Sequence, residues 1–286
     1  MTDFLDQAKA CPVLGPAAAD TTGGPQVSGY VAYARMDDLH SLAVPQTEAP
    51  QELSFILLSH VKEILFRMIY VDVDQARKQL RANDAGLACR ALERTVRTQR
   101  ILVTTWESIN SISADEFLAF REILGTASGI QSYMYRTLEF ALGNKNPAMV
   151  EMISGSMDLY PELSAELAGP SIYDEVLRYL ARRKFAVPDS LCDREFREQY
   201  AGDQRVEEVW LTIYRAPDRY PEEHRLAELL TEVSYQFSHW RATHLLVVER
   251  KLGSKPGTGG TEGVDWLRAV NDHRFFPELW TMRTRL

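Results

Sequence analysis

The stretch from Tyr235 to Gly263 constrains the fold more than any other part of the chain. Phe237, Trp240, His244 and Val248 recur at spacings of three and four, so they share one side of a 3.6-residue helix. Lys251 falls in the last turn, Gly253 supplies the stop, and Pro256 forbids continuation. A long helix with one apolar face needs other helices to cover that face. His244 lies on it, just before the chain leaves the helix for the glycine-rich run Gly257-Thr258-Gly259-Gly260. A histidine so placed has two uses. It is a core ring whose nitrogens find partners, or it holds a metal or heme iron through one nitrogen.

Helical periodicity continues elsewhere. The spacing predicts a helix over 51–80, with Pro50 suited to its first turn. Leu53, Ile56, Leu57, Ile64, Met68 and Val71 read as its apolar stripe, and Phe55, Ser59 and Phe66 lie along an adjacent strip. A partner helix runs from Asp84 to Ile109, with Leu87, Leu92, Val96 and Ile101 as its packing positions. Ser113 and Glu116 form a capping-box pattern that opens a helix carrying Phe117 and Arg121 on one face. Further helices are expected over 132–142, 173–183, 206–214 and 264–270, and a packed tail over 275–286. The expected fold is therefore all-α, a helical bundle in a single domain. Residues 1–28, rich in Ala, Gly, Pro and Thr, read as a mobile N-terminal arm, and residues 29–286 as the folded domain.

Bulk properties narrow the function. With 286 residues and 45% hydrophobic content the chain can bury a sizeable core. A net charge of -8 argues against nucleic acid as partner, which calls for clustered Lys and Arg. No apolar run is long enough to span a membrane. The three scattered cysteines, Cys11, Cys89 and Cys192, read as reduced thiols of a cytoplasmic protein.

Three separated segments then share one resemblance. They are Phe55-Ile-Leu-Leu-Ser59-His60 through Glu63; Phe120-Arg121 through Ala127-Ser128-Gly129 and Gln131-Ser132; and Trp240-Arg241 through His244 to Gly257-Thr258-Gly259-Gly260. Together they resemble the tryptophan 2,3-dioxygenase family from about Tyr30 to the C-terminus. The resemblance implies a b-type heme with His244 as its proximal iron ligand, and Trp106 and Ser128 beside the heme. Arg121 would pair with the carboxylate of an aromatic amino acid, Thr258 would contact its ammonium and carboxylate, and Phe55 and Phe117 would wall its ring. Dioxygen would be the second substrate. Alone, Arg121 would read as a snorkelling surface arginine and Trp106 as plain core. Tyr30 and Tyr33 match a segment that, in the family's oligomers, reaches into a neighbouring subunit's site. Their bland reading is two half-buried anchors of the arm. A homo-oligomer, tetramer or dimer, is implied.

The departures matter as much. Ser59 stands where the family has its distal histidine, and His60 where it has glutamine. Phe55 and Glu63 hold the register from both sides. A slip of one residue turns a side chain about 100° around a helix, so His60 is expected to face away from the pocket. Ser59 cannot be a base at neutral pH, although it can donate or accept one hydrogen bond. The related indoleamine 2,3-dioxygenases also carry serine at this place. Phe117 replaces a pocket tyrosine, Thr126 a proline and Ile130 an aromatic residue. The expected activity is oxidation of the indole ring of tryptophan or a substituted tryptophan, giving an N-formylkynurenine-type product. The alternatives are insertion of one oxygen to give a 2-oxindole, hydroxylation of a tyrosine-like ring, and a non-catalytic heme or gas-binding protein.

Overall fold

A computed structural model describes residues 28–258 and 263–286. The expected arm, apart from Ser28, and the segment Gly259–Glu262 lie outside the described residues. The chain falls into two compact units, Met1–Pro45 and Gln46–Leu286. Within the first, Ser28 caps helix α1 (Gly29–Ala34), and Arg35 at φ 51 turns the chain into α2 (Met36–Ser41). Neither helix has a buried residue.

The second unit is all-α, with no strand among the described residues. Pro50 starts α3 (Pro50–Arg81), and Asp84 caps α4 (Ala85–Ser111) by accepting from the Leu87 amide. The capping box at Ser113 and Glu116 forms and opens α5 (Ala114–Arg121). Next come α6 (Tyr133–Leu142), α7 (Pro147–Met152), α8 (Ser154–Met157), α9 (Pro161–Ala168), α10 (Ile172–Arg182) and α11 (Asp189–Cys192). They are followed by α12 (Gln204–Arg215), α13 (Pro221–Leu252), α14 (Val264–Asn271) and α15 (Pro277–Thr281). Pro221 starts α13 where a missing amide costs nothing, and Gly253 ends it at φ 57, a conformation that disfavours a side chain.

The two 32-residue helices α3 and α13 both pack on α4, and α6 and α10 close on α3. The core side of α3 is Leu65, Phe66, Ile69, Val73, Ala76 and Leu80, spaced by three and four. This corrects the expected stripe. Leu53, Leu57, Ile64, Met68 and Val71 are exposed, as is Val61, and together they form a second apolar ridge on the outside of the helix. Both ridges keep the 3.6 period, so periodicity alone does not say which one faces in. In α4, likewise, Leu92 and Val96 are core, whereas Leu87 and Ile101 face out.

The two ends of α3 differ. Its C-terminal half is packed on all its inner positions. In its N-terminal half, Phe55, Ser59, Lys62 and Glu63 line a cavity. The last turns of α13 face the same cavity through Trp240, His244, Val247 and Val248.

Candidate active site

The cavity holds about 490 Å³, within the range of small-molecule sites. Phe55, Phe117 and Phe120 form a tilted cluster at one end, with ring centroids 5.3–5.7 Å apart. At the other end Phe66 stands edge-on to Trp240 at 5.5 Å. Between them, the Trp106 ring lies flat on His244, with centroids 4.3 Å apart and planes 7° from parallel. The stacking follows from spacing: His244 is one turn beyond Trp240 on α13, and both meet the face of α4 that carries Trp106.

His244 is partly open because one side of it faces the cavity, and protein surrounds the rest. Burial, helped by the charge of Lys62, pushes its imidazole down to about 3. The ring is therefore neutral at physiological pH and keeps a lone pair for a metal. No group of three or more His, Cys, Asp or Glu is gathered for a metal ion among the described residues. A metal held here by His244 must therefore bring other ligands of its own.

Charge points the same way. Among the described residues the wall carries five cationic side chains, Lys62, Arg121, Arg136, Arg241 and Lys251, against the single carboxylate of Glu63. In a chain of net charge -8 this is a local reversal, and it suits an anionic ligand. Arg121 is half-buried at the end of α5. Its Nη2 donates to the Pro256 carbonyl at 2.9 Å, while its Nε is buried without a partner. The Thr258 hydroxyl donates to the Ala127 carbonyl at 2.7 Å. These two bonds tie the loop after α13 to the segment after α5. Beyond the undescribed residues, Gly263 sits at φ +67, and a Cβ there would lie 2.8 Å from the Lys255 carbonyl, so the loop needs glycine at that point.

The structure thus brings Phe55, Ser59, Trp106, Phe117, Arg121, Ser128, His244 and Thr258 to one wall, from segments far apart in sequence. His60 is not part of that wall. The Ser59 hydroxyl donates to the Phe55 carbonyl at 2.9 Å, so its proton is committed to its own helix and only its oxygen lone pairs face a ligand. Tyr30 and Tyr33 belong to the other unit and are exposed at 67% and 93%, so they are not the half-buried anchors of the bland reading. Sequence reasoning missed Lys62, although its place three residues after Ser59 on the Phe55–Phe66 strip marks it as cavity-facing. It also missed the buried cluster that Arg136 and Arg241 of this wall form with Glu139. There Glu139 accepts from Arg136, from Arg241 and from Asn144.

The site thus joins, in an all-helical unit, an apolar, cation-rimmed cavity and one neutral histidine facing it. The tryptophan 2,3-dioxygenase family model matches residues 17–162 and 168–286. The tryptophan 2,3-dioxygenase of Polaromonas sp. (strain JS666 / ATCC BAA-500) is 39% identical over 257 residues, covering 90% of this chain and 87% of that protein. Tryptophan 2,3-dioxygenases of Caulobacter vibrioides and Geobacillus thermodenitrificans are 37% and 35% identical, again over 90% of this chain and over 98% and 92% of theirs. The chain belongs to the tryptophan 2,3-dioxygenase family. Among the described residues no helix is long and apolar enough to cross a membrane.

Proposed function

We propose that the chain is a heme-dependent oxygenase that uses dioxygen to oxidise the indole ring of L-tryptophan or a substituted tryptophan. The observation that carries this reading is the convergence of His244 and Arg121 on one cavity. A neutral imidazole and a guanidinium serve different partners. The first suits iron, and the second a carboxylate gripped in two-point fashion.

The residues fit a porphyrin. His244 would hold the iron, with Trp106 stacked against its ring and Ser128 in the same wall. The flat aromatic faces suit a macrocycle, and the excess of cationic side chains suits its carboxylates. When bound, the iron supplies the activation of dioxygen that no side chain can provide.

This chain's own residues do the positioning. Arg121 exchanges the Pro256 carbonyl for the substrate carboxylate, and its unpaired Nε gains an acceptor. Thr258, next to that exchange, meets the ammonium and carboxylate. Phe55 and Phe117 then hold the indole by apolar contact, which converts binding energy into orientation. Ser59 accepts a hydrogen bond from the indole N–H. It does not remove that proton, because a serine hydroxyl is no base at neutral pH.

A gas-binding protein has no use for Arg121, whereas an oxygenase of an amino acid does. The outward ridge of α3, with the exposed Tyr30 and Tyr33, supports self-association as a tetramer or dimer. Light scattering that gives the 32.5 kDa monomer alone would remove that part of the reading. Incubation with tryptophan, reductant and labelled dioxygen tests the activity. Two retained oxygens with ring opening are expected. One retained oxygen would indicate the 2-oxindole outcome, which the loss of a basic distal residue at Ser59 favours. A His244→Ala protein that keeps the wild-type heme spectrum and turnover would refute the reading.

A further inference from the structure

Lys62 is the cation of the cavity wall that the reading above leaves unused. It lies one turn after Ser59 and one turn before Phe66, on the cavity side of α3. Its ammonium stands 4.4 Å from the centre of the Trp106 ring, the same ring that stacks on His244.

The other cations of the wall are all engaged. Arg121 donates to the Pro256 carbonyl, Arg136 and Arg241 to Glu139, and Lys251 to the carbonyls of Asn110 and Ile112. Lys62 makes no hydrogen bond or ion pair among the described residues. Contact with an indole face does not replace the hydration that an ammonium gives up on leaving water. Burial accordingly pushes the amine down to about 8.

The neighbouring donors are also unmet. Trp106 Nε1 and Trp240 Nε1 are buried in the same wall without an acceptor among the described residues. Three donors thus gather beside His244 with no acceptor among the described residues. Buried donors in a native fold are satisfied, so the acceptors come with whatever fills the cavity. Arg121 already accounts for the amino acid's carboxylate, at the far end of the wall beside Pro256 and the phenylalanine cluster.

We propose that Lys62 is the counter-ion of a carboxylate on the edge of the porphyrin, and so a cofactor-anchoring residue. The inference rests on the reading of His244 as the heme ligand. It assigns the two kinds of anion in the site to two different cations, the substrate's to Arg121 and the macrocycle's to Lys62.

The test compares hemin with hemin dimethyl ester, in which both carboxylates are masked. Each is titrated into the heme-free full-length protein and followed by its absorption band. The wild type should bind hemin more tightly than the ester. Lys62→Met keeps the length of the side chain and removes its charge. It should weaken hemin binding by about tenfold to a hundredfold, the range for a hydrogen bond to a charged group. It should leave ester binding unchanged, and the KM for tryptophan close to that of the wild type. Lys62→Arg should restore the preference for hemin. A Lys62→Met protein that prefers hemin as strongly as the wild type overturns the assignment. So does one whose only defect is a raised KM, which would place Lys62 on the substrate. Failure of the wild type to bind either compound would instead sink the porphyrin reading itself, and Lys62's role with it.

Discussion

Two groups of charged and polar side chains meet on the same turn of α13, at the adjacent residues Arg241 and Trp240, and they are built in opposite ways. In one, Arg241 and Glu139 are 4% and 1% exposed, and each finds partners within the protein. Glu139 takes Arg136, Arg241 and Asn144, while Arg241 also reaches the Tyr135 hydroxyl and the Val270 carbonyl. In the other, Trp106 Nε1, Trp240 Nε1 and Arg121 Nε are buried without acceptors among the described residues, and the Lys62 side chain faces the cavity beside them. The first group closes on itself and braces α6 against α13. The second is incomplete until a ligand arrives. A satisfied buried network stabilises the chain that contains it, whereas an unsatisfied one stores affinity for something else.

The closed cluster should give the largest effect when broken. Glu139→Gln leaves two buried guanidiniums without their carboxylate, and removing one partner of a buried pair costs about 3–5 kcal/mol. Denaturant unfolding of the heme-free protein should show a loss of that size, and an unchanged midpoint would dissolve the contrast between the two groups. Acid probes the same feature. Burial alone would raise the Glu139 carboxyl, but Arg136 and Arg241 outweigh it and hold the group below its ordinary value of 4.5. The folded state thus keeps this carboxylate ionised where the unfolded chain has begun to protonate it. Its contribution is present above about pH 4.5 and is lost as pH falls through the lower folded value. Thermal melts of the wild type should fall steeply in that acid range, and those of Glu139→Gln should fall less.

The same contrast explains which parts were legible from sequence. The long helix ending at Gly253, the capping box at Ser113 and the Phe117–Arg121 spacing are local patterns, and the structure forms them at those places. Arg136 and Glu139, in contrast, stand three apart on one helix, a spacing that by itself says nothing of burial. What buries them is Arg241, a hundred residues away. The inward side of α3 was hidden for a related reason: two apolar ridges on one helix carry equal period, and only the position of α4 selects between them. Lys62 was within reach of spacing, yet its lack of a partner is visible only once every neighbouring element is in place.

The smallest expected effect concerns Ser59, and it sharpens the comparison from the ligand's side. Its hydroxyl proton is already held by the Phe55 carbonyl, so the side chain resembles the closed cluster in one respect and the open wall in the other. If Ser59 only accepts from an indole N–H, Ser59→Ala removes one neutral hydrogen bond worth roughly 0.5–1.5 kcal/mol, or about twofold to tenfold in kcat/KM. The loss should disappear with 1-methyltryptophan, which has no N–H to donate, provided the cavity admits the methyl group. A loss of about a thousandfold would mean that Ser59 moves a proton during the reaction, and its bond to Phe55 would then have to open in the substrate complex.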